Sequence, residues 1–511
     1  MGRQGRWVGV ATLAMLASSA IAQQATQAAK QAAPQPRLNE LPCSSQFGTF
    51  EGIARDAVRC GTITVPQDRS APKSTRLQAV NLPVVIYSAG PARGTPIIFL
   101  AGGPGESAID AAQQVLLQTP LGQMMLRERT IVAFDRRGVP SDAGRASPDL
   151  GVVNYTPHYP RARAIAPVRD SLALMAKDLR TRGIEPKNFT TLPAVEDIAD
   201  VVRALGYKKV VLLAASYGTR EALHFMRRHP DMVESVVLDG VAPPNATHML
   251  DSAAIATAGL EVITRVVNDC NSDVTCAAEY GDLTLAVKRL AASDSVVFLN
   301  RTANFPEAGG WRTLQVKSAS VLSVLGLAST SELIRAEAPR VLVDFANQDT
   351  LRTELSAKVL IAAAADPTLA AGHKERVPMI RYVAFCGDRP QGDPFAGDRS
   401  ICNAIDVPFT GDEAISRVTS DLPTLLISSG YDAQTPWNLA VDAATSLAHS
   451  QRVLFPMVGH VAFARPVAMA CAAIVIESFL AQTDRAPATG CIQSVVPAFV
   501  PRGATQGSRS P

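Results

Sequence analysis

Residues 209–230 read KVVLLAASYGTREALHFMRRHP and place Ser216 between a strand and a helix. Lys209 to Ala214 is almost wholly apolar, as is typical of a strand buried on both faces, and Ala222 to Arg228 lies on an amphipathic helix. A serine at such a turn is typical of a nucleophile elbow, G-x-S-x-G, here with Ala214 in place of the first glycine. The segment therefore predicts a nucleophilic hydroxyl at the end of a core strand. The alternative is a serine that only caps the helix.

Apolar runs of strand length alternate with helical stretches on both sides of this segment. The other predicted strands are Gly61 to Val65, Leu77 to Tyr87, Pro96 to Leu100, Thr130 to Phe134, Ser235 to Leu238, Thr424 to Ser428 and Arg452 to Phe455. Predicted helices include one closed by Gly206, one through Asn438 and one from Val467 to Leu480. Thr435 is a good N-cap and proline is favoured at the first helical position, so the helix through Asn438 should begin at Pro436. The alternation predicts an α/β fold with a mostly parallel central sheet and helices on both faces.

Residues 245–415 interrupt this alternation with mainly Ala/Leu-rich helical sequence. We therefore expect one α/β domain, formed by residues 41–244 and 416–511, with a large and mainly helical insertion. The insertion leaves the core after a strand that should end at the active-site face of the sheet. We expect it to form a cap over Ser216 and to decide the substrate.

Two further residues that could carry chemistry follow predicted core strands. Of the seven histidines, His460 alone lies just past the end of a core strand (RVLFPMVGH), and Asp432 has the same position after TLLISSGY. Ligands of open α/β sheets bind outside the carboxyl ends of the strands. A serine nucleophile needs a base and the base needs an orienting acid, and the chain order Ser216, Asp432, His460 is the one expected for an α/β hydrolase. A surface histidine and a plain turn aspartate are the alternatives.

The loop Ala101 to Gly105 (AGGPG) follows the predicted strand PIIFL. A loop with three glycines can bring a backbone N–H close to an oxyanion that develops during catalysis. The backbone N–H of Tyr217, the residue after the nucleophile, would be the second donor. A simple Gly/Pro turn is the alternative.

The N-terminus predicts export. Met1 to Arg6 is basic, Trp7 to Ala17 is uncharged and mostly apolar, and Ala20 to Ala22 offers small residues at a cleavage site. The apolar run is too short to span a bilayer, which needs roughly 20 residues. We therefore expect a signal peptide at 1–22, a disordered Ala/Gln-rich spacer at 23–40, and a periplasmic or extracellular location.

The cysteines and the net charge narrow the classes of protein to which the chain could belong. Eight cysteines in an exported chain indicate disulfides. The sequence-near pairs are Cys43–Cys60, Cys270–Cys276, Cys386–Cys402 and Cys471–Cys491. Buried free thiols are the alternative, and the absence of a C-x-x-C pair argues against a zinc site, so neither metal nor cofactor is expected. The formal net charge of +3 without a Lys/Arg block indicates neither nucleic-acid binding nor membrane insertion.

Several segments together resemble one branch of the α/β hydrolases. They are FLAGGPGESA, FDRRGVPSD, ASYGTREALHFMRRHPDMVESVVLDGVAPP, SSGYDAQTP and MVGH followed by Cys471. They are similar to the proline iminopeptidase and tripeptidyl aminopeptidase branch, peptidase family S33. The C-terminal part, residues 416–511, resembles the TAP-like domain of that family.

The resemblance implies a catalytic triad and an exopeptidase that acts at free N-termini. Its nucleophile falls on Ser216, its acid on Asp432, its base on His460 and its oxyanion glycine on Gly103, with Tyr217 as the other donor. An exopeptidase must also bind a substrate ammonium. The candidate acids in the insertion are Glu307, Glu332, Glu337 and Asp388.

Three residues depart from the family pattern and concern the mouth of the pocket. Ala101 stands where a histidine is usual, Ala214 where a glycine is usual, and Pro140 where a glycine is more frequent. We therefore expect either a peptidase or, as the alternative, an esterase that acts on small esters or lactones. A binding protein that has lost catalysis is a third reading, against which the intact triad argues.

Overall fold

The computed structural model describes most of the chain outside its two ends. The described residues are 36–44, 47, 50, 57–71, 79–88, 90, 94–139, 149–155, 165–246, 252–292, 295–299, 313–347, 375–390, 399–496 and 499. The expected signal peptide, the departure at Pro140 and the candidate acid Glu307 lie outside them.

The described residues form thirteen strands, numbered in chain order. They are β1 (Leu38–Leu41), β2 (Val58–Pro66), β3 (Ala79–Tyr87), β4 (Ile97–Leu100), β5 (Ile131–Phe134), β6 (Val152–Tyr155), β7 (Val210–Ala215), β8 (Val233–Asp239), β9 (Ser295–Leu299), β10 (Thr313–Lys317), β11 (Glu375–Pro378), β12 (Thr424–Ser429) and β13 (Ser450–Phe455).

Nine of these strands form the central sheet, in the order β1-β2-β3-β5-β4-β7-β8-β12-β13. The first three pairings, from β1 to β5, are antiparallel. The five pairings from β5 to β13 are parallel. Every residue of β4, β5, β7 and β12 is buried, which explains their continuous apolar sequences. The predicted α/β fold with a mostly parallel sheet is confirmed.

Fourteen α-helices occur in the described residues. They are α1 (Ala108–Ala111), α2 (Pro120–Glu128), α3 (Ile165–Thr181), α4 (Thr191–Ala204), α5 (Tyr217–Arg228), α6 (Ser252–Ser272), α7 (Val274–Tyr280), α8 (Leu283–Ala291), α9 (Ser318–Ala328), α10 (Glu332–Ala346), α11 (Met379–Gly387), α12 (Ser400–Ala404), α13 (Trp437–Ala444) and α14 (Met469–Ala481).

The helices cover both faces of the sheet, because alternate side chains of each strand point in opposite directions. In β7, Val210 and Leu212 belong to one hydrophobic core together with α3, α4 and α5. Val211 and Leu213 belong to a second core together with α2 and α14. The carboxyl end of β7, where Ser216 lies, is thereby held between two packed layers.

The chain between β8 and β12 packs in two places. Helices α6 to α10 form a hydrophobic core of their own, which also takes in Tyr431 and Ala433. The later helices α11 and α12 contribute to the core on one face of the central sheet instead. Two small antiparallel pairs accompany this segment: β9 with β10, and β11 with β6.

Four disulfides join the sequence-near cysteines: Cys43–Cys60, Cys270–Cys276, Cys386–Cys402 and Cys471–Cys491. The prediction of disulfides is confirmed, and the expected bridge from Cys471 to the tail is among them. Such bonds persist in oxidising compartments. Among the described residues, no helix has the length and apolar character that crossing a bilayer requires.

The predicted spacer at 23–40 extends too far toward the core. Leu38, Asn39 and Glu40 belong to β1, which pairs with β2 at the edge of the sheet. The strand was missed because it is short and only partly buried, and because two polar residues lie between its leucines. Its backbone hydrogen bonds to β2, rather than an apolar pattern, hold it in place.

Candidate active site

Ser216 lies on a sharp turn between β7 and α5. Its backbone has φ 53° and ψ −124°. Residues other than glycine rarely adopt this conformation, which costs about 1–3 kcal/mol. The backbone N–H of Ser216 donates to the carbonyl of Asp239 at the end of β8 (2.8 Å). Gly218 is required in the first helical turn, since a β-carbon there would lie 2.4 Å from the carbonyl oxygen of Leu100. The elbow is thus fixed by the two strands that flank β7.

Asp432 and His460 meet at the same edge of the sheet, after β12 and β13. The Nδ1–H of His460 donates to Oδ2 of Asp432 (2.7 Å). The hydroxyl of Thr435 donates to the same oxygen (2.6 Å). The other oxygen of Asp432 accepts the backbone N–H groups of Gln434 (2.8 Å) and Thr435 (2.9 Å). This carboxylate is therefore fully engaged, and it orients the imidazole.

Asp432 and His460 shift each other's pKa in opposite directions. Burial raises the pKa of Asp432, but the charge of His460 and the hydrogen bonds from His460 and Thr435 outweigh it, so the pKa lies below 3.8. Burial lowers the pKa of His460, but the charge and hydrogen bond of Asp432 outweigh it, so the pKa lies above 6.5. The imidazole is thus a stronger base than a free histidine.

The end of β8 connects the serine to the histidine. A β-carbon on Gly240 would lie 3.1 Å from Cε1 of His460 and 3.0 Å from Oγ1 of Thr435, and Gly240 has φ 71°. The preceding Asp239 is fully buried, and its Oδ2 accepts the backbone N–H of Phe463 (2.9 Å). The loop that follows His460 is therefore anchored to the strand next to the elbow.

Burial raises the pKa of Asp239 to about 6, against hydrogen bonds from the backbone N–H groups of Phe463 and Ala462 and the charge of His460. Asp239 is thus a second carboxyl group in the vicinity of His460, while the hydrogen bond to Nδ1 comes from Asp432. No hydrogen bond joins Ser216 to His460 within the described ranges. This bond is often long in free hydrolases and shortens when substrate binds.

The AGGPG loop passes directly over the elbow. A β-carbon on Gly102 would lie 2.9 Å from Cβ of Ser216, so only glycine fits at this position. Gly103 has φ 106° and folds the loop back on the backbone of Gly105. Gly102 is therefore the glycine in contact with Ser216, and the role of Gly103 as an oxyanion donor stays a prediction.

Asp135 holds the far end of this loop. Its Oδ1 accepts the hydroxyl of Ser107 (2.8 Å) and the backbone N–H of Ile109 (3.2 Å). The next residue but one, Arg137, is completely buried and makes a two-fold ion pair with Asp197, both distances being 2.6 Å. The DRRG segment thus fixes the position of the glycine loop relative to the sheet.

The segment between β8 and β12 contacts the chain neighbour of each predicted triad residue, Ser216, Asp432 and His460. The hydroxyl of Tyr217, next to Ser216, donates to Oδ2 of Asp388 (2.6 Å). The guanidinium of Arg335 lies over the ring of Tyr431, next to Asp432, at 4.4 Å. A β-carbon on Gly459, next to His460, would lie 1.9 Å from the carbonyl oxygen of Thr330. All three triad loops are therefore in contact with this segment.

The candidate ammonium acids differ in their surroundings. Asp388 is completely buried, accepts the hydroxyl of Tyr217 and forms an ion pair with Arg220 (Nε to Oδ2, 2.8 Å), so it is not open to a substrate. Glu332 is half-buried; burial raises its pKa, while the charges of Arg335 and Arg465 lower it. The side chain of Glu337 is also partly buried. No group of three or more metal-ligating side chains occurs in the described ranges.

Sequence reasoning missed Asp239 and gave Thr435 a different role. Thr435 was expected to cap a helix that begins at Pro436. The helix α13 begins one residue later, at Trp437, and has no side-chain cap. The hydroxyl of Thr435 does not accept a backbone N–H of the helix and instead donates to Asp432, a charged and therefore strong acceptor. Its position three residues after the acid was the available signal.

Two family profiles match the chain. The profile for the alpha/beta hydrolase fold matches residues 95–313. The profile described as TAP-like protein matches residues 391–493. The first contains the elbow and the glycine loop, and the second contains Asp432 and His460.

Similar proteins include two bacterial enzymes. Serine protease Hip1 of Mycobacterium tuberculosis is 24% identical over 436 residues, which are 76% of this chain and 79% of Hip1. Tripeptidyl aminopeptidase of Streptomyces coelicolor is 28% identical over 193 residues, 37% of this chain and 36% of that protein. A solved serine hydrolase from Cycloclasticus zankles is 13% identical, with a TM-score of 0.35 over 82% of this chain and 99% of that chain.

Proposed function

Because the chain belongs to the α/β hydrolases with a TAP-like C-terminal domain, in the S33 branch, we propose that it is an exported serine exopeptidase. It releases residues or short peptides from free N-termini and forms an acyl-enzyme on Ser216. The observation that carries the proposal is the buried His460–Asp432 pair, 2.7 Å apart, at the sheet edge that also holds the elbow. The names of Hip1 and the Streptomyces aminopeptidase support a peptide substrate.

In the first half of the reaction, Ser216 Oγ attacks the carbonyl carbon of the scissile amide. His460 takes the hydroxyl proton, and Asp432 stabilises the imidazolium that forms. The backbone N–H groups of Tyr217 and Gly103 donate hydrogen bonds that stabilise the negative charge on the carbonyl oxygen. His460 then gives the proton to the leaving amine, the C–N bond breaks, and the acyl group remains on Ser216.

In the second half, water attacks the acyl-enzyme. His460 takes a proton from the water, the tetrahedral intermediate forms again, and the ester bond to Ser216 breaks as the proton returns to Oγ. This chemistry needs neither a metal nor a cofactor.

The segment at 245–415 is proposed to be a cap that shapes the substrate pocket. Its contacts with Tyr217, Tyr431 and Gly459 support this role, since a segment that touches all three triad loops lies beside the nucleophile. The four disulfides support the proposal of export, to the periplasm or beyond.

The experiment compares peptides with free and with acetylated N-termini on the purified protein. If the protein is an exopeptidase, kcat/KM should be at least about 100-fold higher for the peptide with a free N-terminus. The acetylated peptide lacks the ammonium and so leaves the enzyme carboxylate that should bind it unpaired in a closed site, which is costly. Equal values would contradict the exopeptidase and favour an esterase or endopeptidase on the same triad. Labelling with a serine-directed phosphonate, with Ser216→Ala as control, separates both from a protein without catalysis.

A further inference from the structure

Glu106 is an acidic residue of the glycine loop whose side chain lies close to the candidate nucleophile Ser216. A β-carbon on Gly102 would lie 3.2 Å from Oε2 of Glu106 and 3.4 Å from Oγ of Ser216. The two oxygens therefore cannot be farther apart than the sum of these distances. The side chain of Glu106 is exposed, so its carboxylate is open to a ligand.

The backbone of Glu106 is held on both sides. On one side, Gly105 packs against the segment between β8 and β12: a β-carbon there would lie 2.7 Å from Cγ2 of Ile380 and 3.0 Å from Cβ of Pro378. On the other side, the hydroxyl of Ser107 donates to Asp135 (2.8 Å). The carboxylate is thus presented beside the elbow from a fixed point.

This carboxylate has no hydrogen-bond or ion-pair partner among the residues that the structure describes. The neighbouring acids differ: Asp432 is engaged by His460 and Thr435, and Asp135 by Ser107. A negative charge close to Ser216 opposes the negative charge that develops on the oxyanion. A substrate that brings its own positive charge to Glu106 removes this opposition.

The distances determine where that positive charge sits on the substrate. In a substrate that loses one residue, the ammonium nitrogen and the attacked carbon are joined through a single α-carbon, about 2.5 Å apart. With the carbon roughly 3–3.5 Å from Oγ, the ammonium lies within about 6 Å of Oγ. Each additional residue in the acyl group moves the ammonium away by roughly 3.3–3.6 Å. The proximity of Glu106 to Ser216 therefore fits a single residue best.

We propose that Glu106 binds the N-terminal ammonium of the residue whose carbonyl Ser216 attacks, so that the enzyme releases amino acids one at a time. The inference rests on the proposed exopeptidase function and names its specificity determinant. It places that determinant in the glycine loop, rather than at the acids of the 245–415 segment.

The test measures kcat/KM of the wild type, Glu106→Gln and Glu477→Gln on leucine p-nitroanilide and on acetyl-leucine p-nitroanilide. Glu477 is an exposed glutamate on α14, away from the site, and serves as the matched control. Glu106→Gln should lose about 30-fold on the free substrate and gain on the acetylated one, because the charge it removes is attractive to one and unfavourable for the other. Glu477→Gln should behave as the wild type.

The outcomes separate this inference from the proposed function. A wild type that prefers the free substrate, with the same preference in Glu106→Gln, overturns the role of Glu106 alone. A wild type without any preference overturns both. A uniform loss on both substrates in Glu106→Gln would indicate a structural role and would also overturn the inference.

The length of the first product gives an independent measurement. Mass spectrometry of an unlabelled pentapeptide digested by the wild type should show the free N-terminal amino acid and the tetrapeptide as the first products. A tripeptide as the first product would overturn the release of single residues.

Discussion

The catalytic edge of the sheet and the segment between β8 and β12 are built in different ways. At the edge, Ser216, Asp432 and His460 each follow a parallel strand whose position is set by backbone hydrogen bonds to its neighbours. In the inserted segment, Asp388 and Arg335 reach the site through single side chains that contact Tyr217 and Tyr431. The proposed catalytic residues are thus placed by the backbone of the core, while two of the insertion's contacts with their neighbours are made by side chains and a third by the backbone carbonyl of Thr330.

Because the two regions are built differently, substitutions in one should leave the other largely unchanged. Changes at the catalytic edge should reduce the rate of every substrate, because the same groups serve both halves of the reaction. Changes in the insertion should have smaller effects, because they act on the neighbours of the triad residues. The effects of substitutions on the rate should therefore be much larger at the sheet edge than in the insertion.

The largest effect is expected at the triad. Ser216→Ala, His460→Ala and Asp432→Asn should each reduce kcat by at least about 10³-fold, because each removes a member of one catalytic unit. Steady-state kinetics and thermal melting of the three purified variants provide the measurement. A near wild-type rate in Asp432→Asn would move the acid elsewhere, with Asp239 the next carboxyl group to examine.

The pH profile follows from the same pair. His460 accepts a proton only when it is neutral, and Asp432 holds its pKa above 6.5. Wild-type kcat/KM should therefore fall as the pH drops through that raised value. In Asp432→Asn the residual activity should fall only at a lower pH, since the carboxylate that stabilises the imidazolium has been removed. An unmoved acid limb would contradict the pairing.

A smaller effect is expected at Thr435. Thr435→Val keeps the shape and removes the hydroxyl that binds Asp432. The loss of one hydrogen bond to a charged acceptor, about 1.5–3 kcal/mol, should reduce kcat by about 10- to 100-fold with little change in KM. Thr264→Val, on the exposed face of α6, is the matched control. An unchanged kcat would show that the backbone N–H groups suffice to hold the acid.

The smallest effect is expected where the insertion meets the edge. The hydroxyl of Tyr431 donates to Asp269 of α6, so Tyr431→Phe removes one bond between the two regions. We expect a loss of about 1 kcal/mol in the free energy of unfolding and a change in kcat/KM of less than about 10-fold. Chemical denaturation and kinetics measure both, with Tyr207→Phe as control. A loss of activity in Tyr431→Phe as large as that of the triad variants would contradict the expectation that contacts of the insertion matter less for the rate than the triad.

The strands of the core could be predicted closely from the sequence. The run Thr424 to Ser428 corresponds to the observed Thr424–Ser429, and Lys209 to Ala214 to the observed Val210–Ala215. A strand buried on both faces needs a continuous apolar sequence, so its pattern is visible without knowledge of its partners. The edge strand β1 lacks this requirement and was assigned to the spacer instead.

Thr435 shows how a correct local pattern can still predict the wrong contact. A threonine before a proline is a good helix cap, and the helix does begin close to the expected residue. As a cap, the hydroxyl oxygen would accept a backbone N–H of the helix, whereas in the structure the hydroxyl donates to the charged carboxylate of Asp432. Local propensity described the position of the helix, while electrostatics of the folded site determined the bond.

The α/β architecture, the elbow at Ser216 and the order in which the proposed acid and base follow it could be read from the amino-acid sequence alone. These features depend on patterns within a few residues. The contact between Tyr217 and Asp388, 171 residues apart, and the position of Glu106 beside Ser216 depend on the folded chain. Such contacts join segments whose separation along the chain says nothing about their distance in space, and they form only when the sheet brings its carboxyl ends and the insertion together.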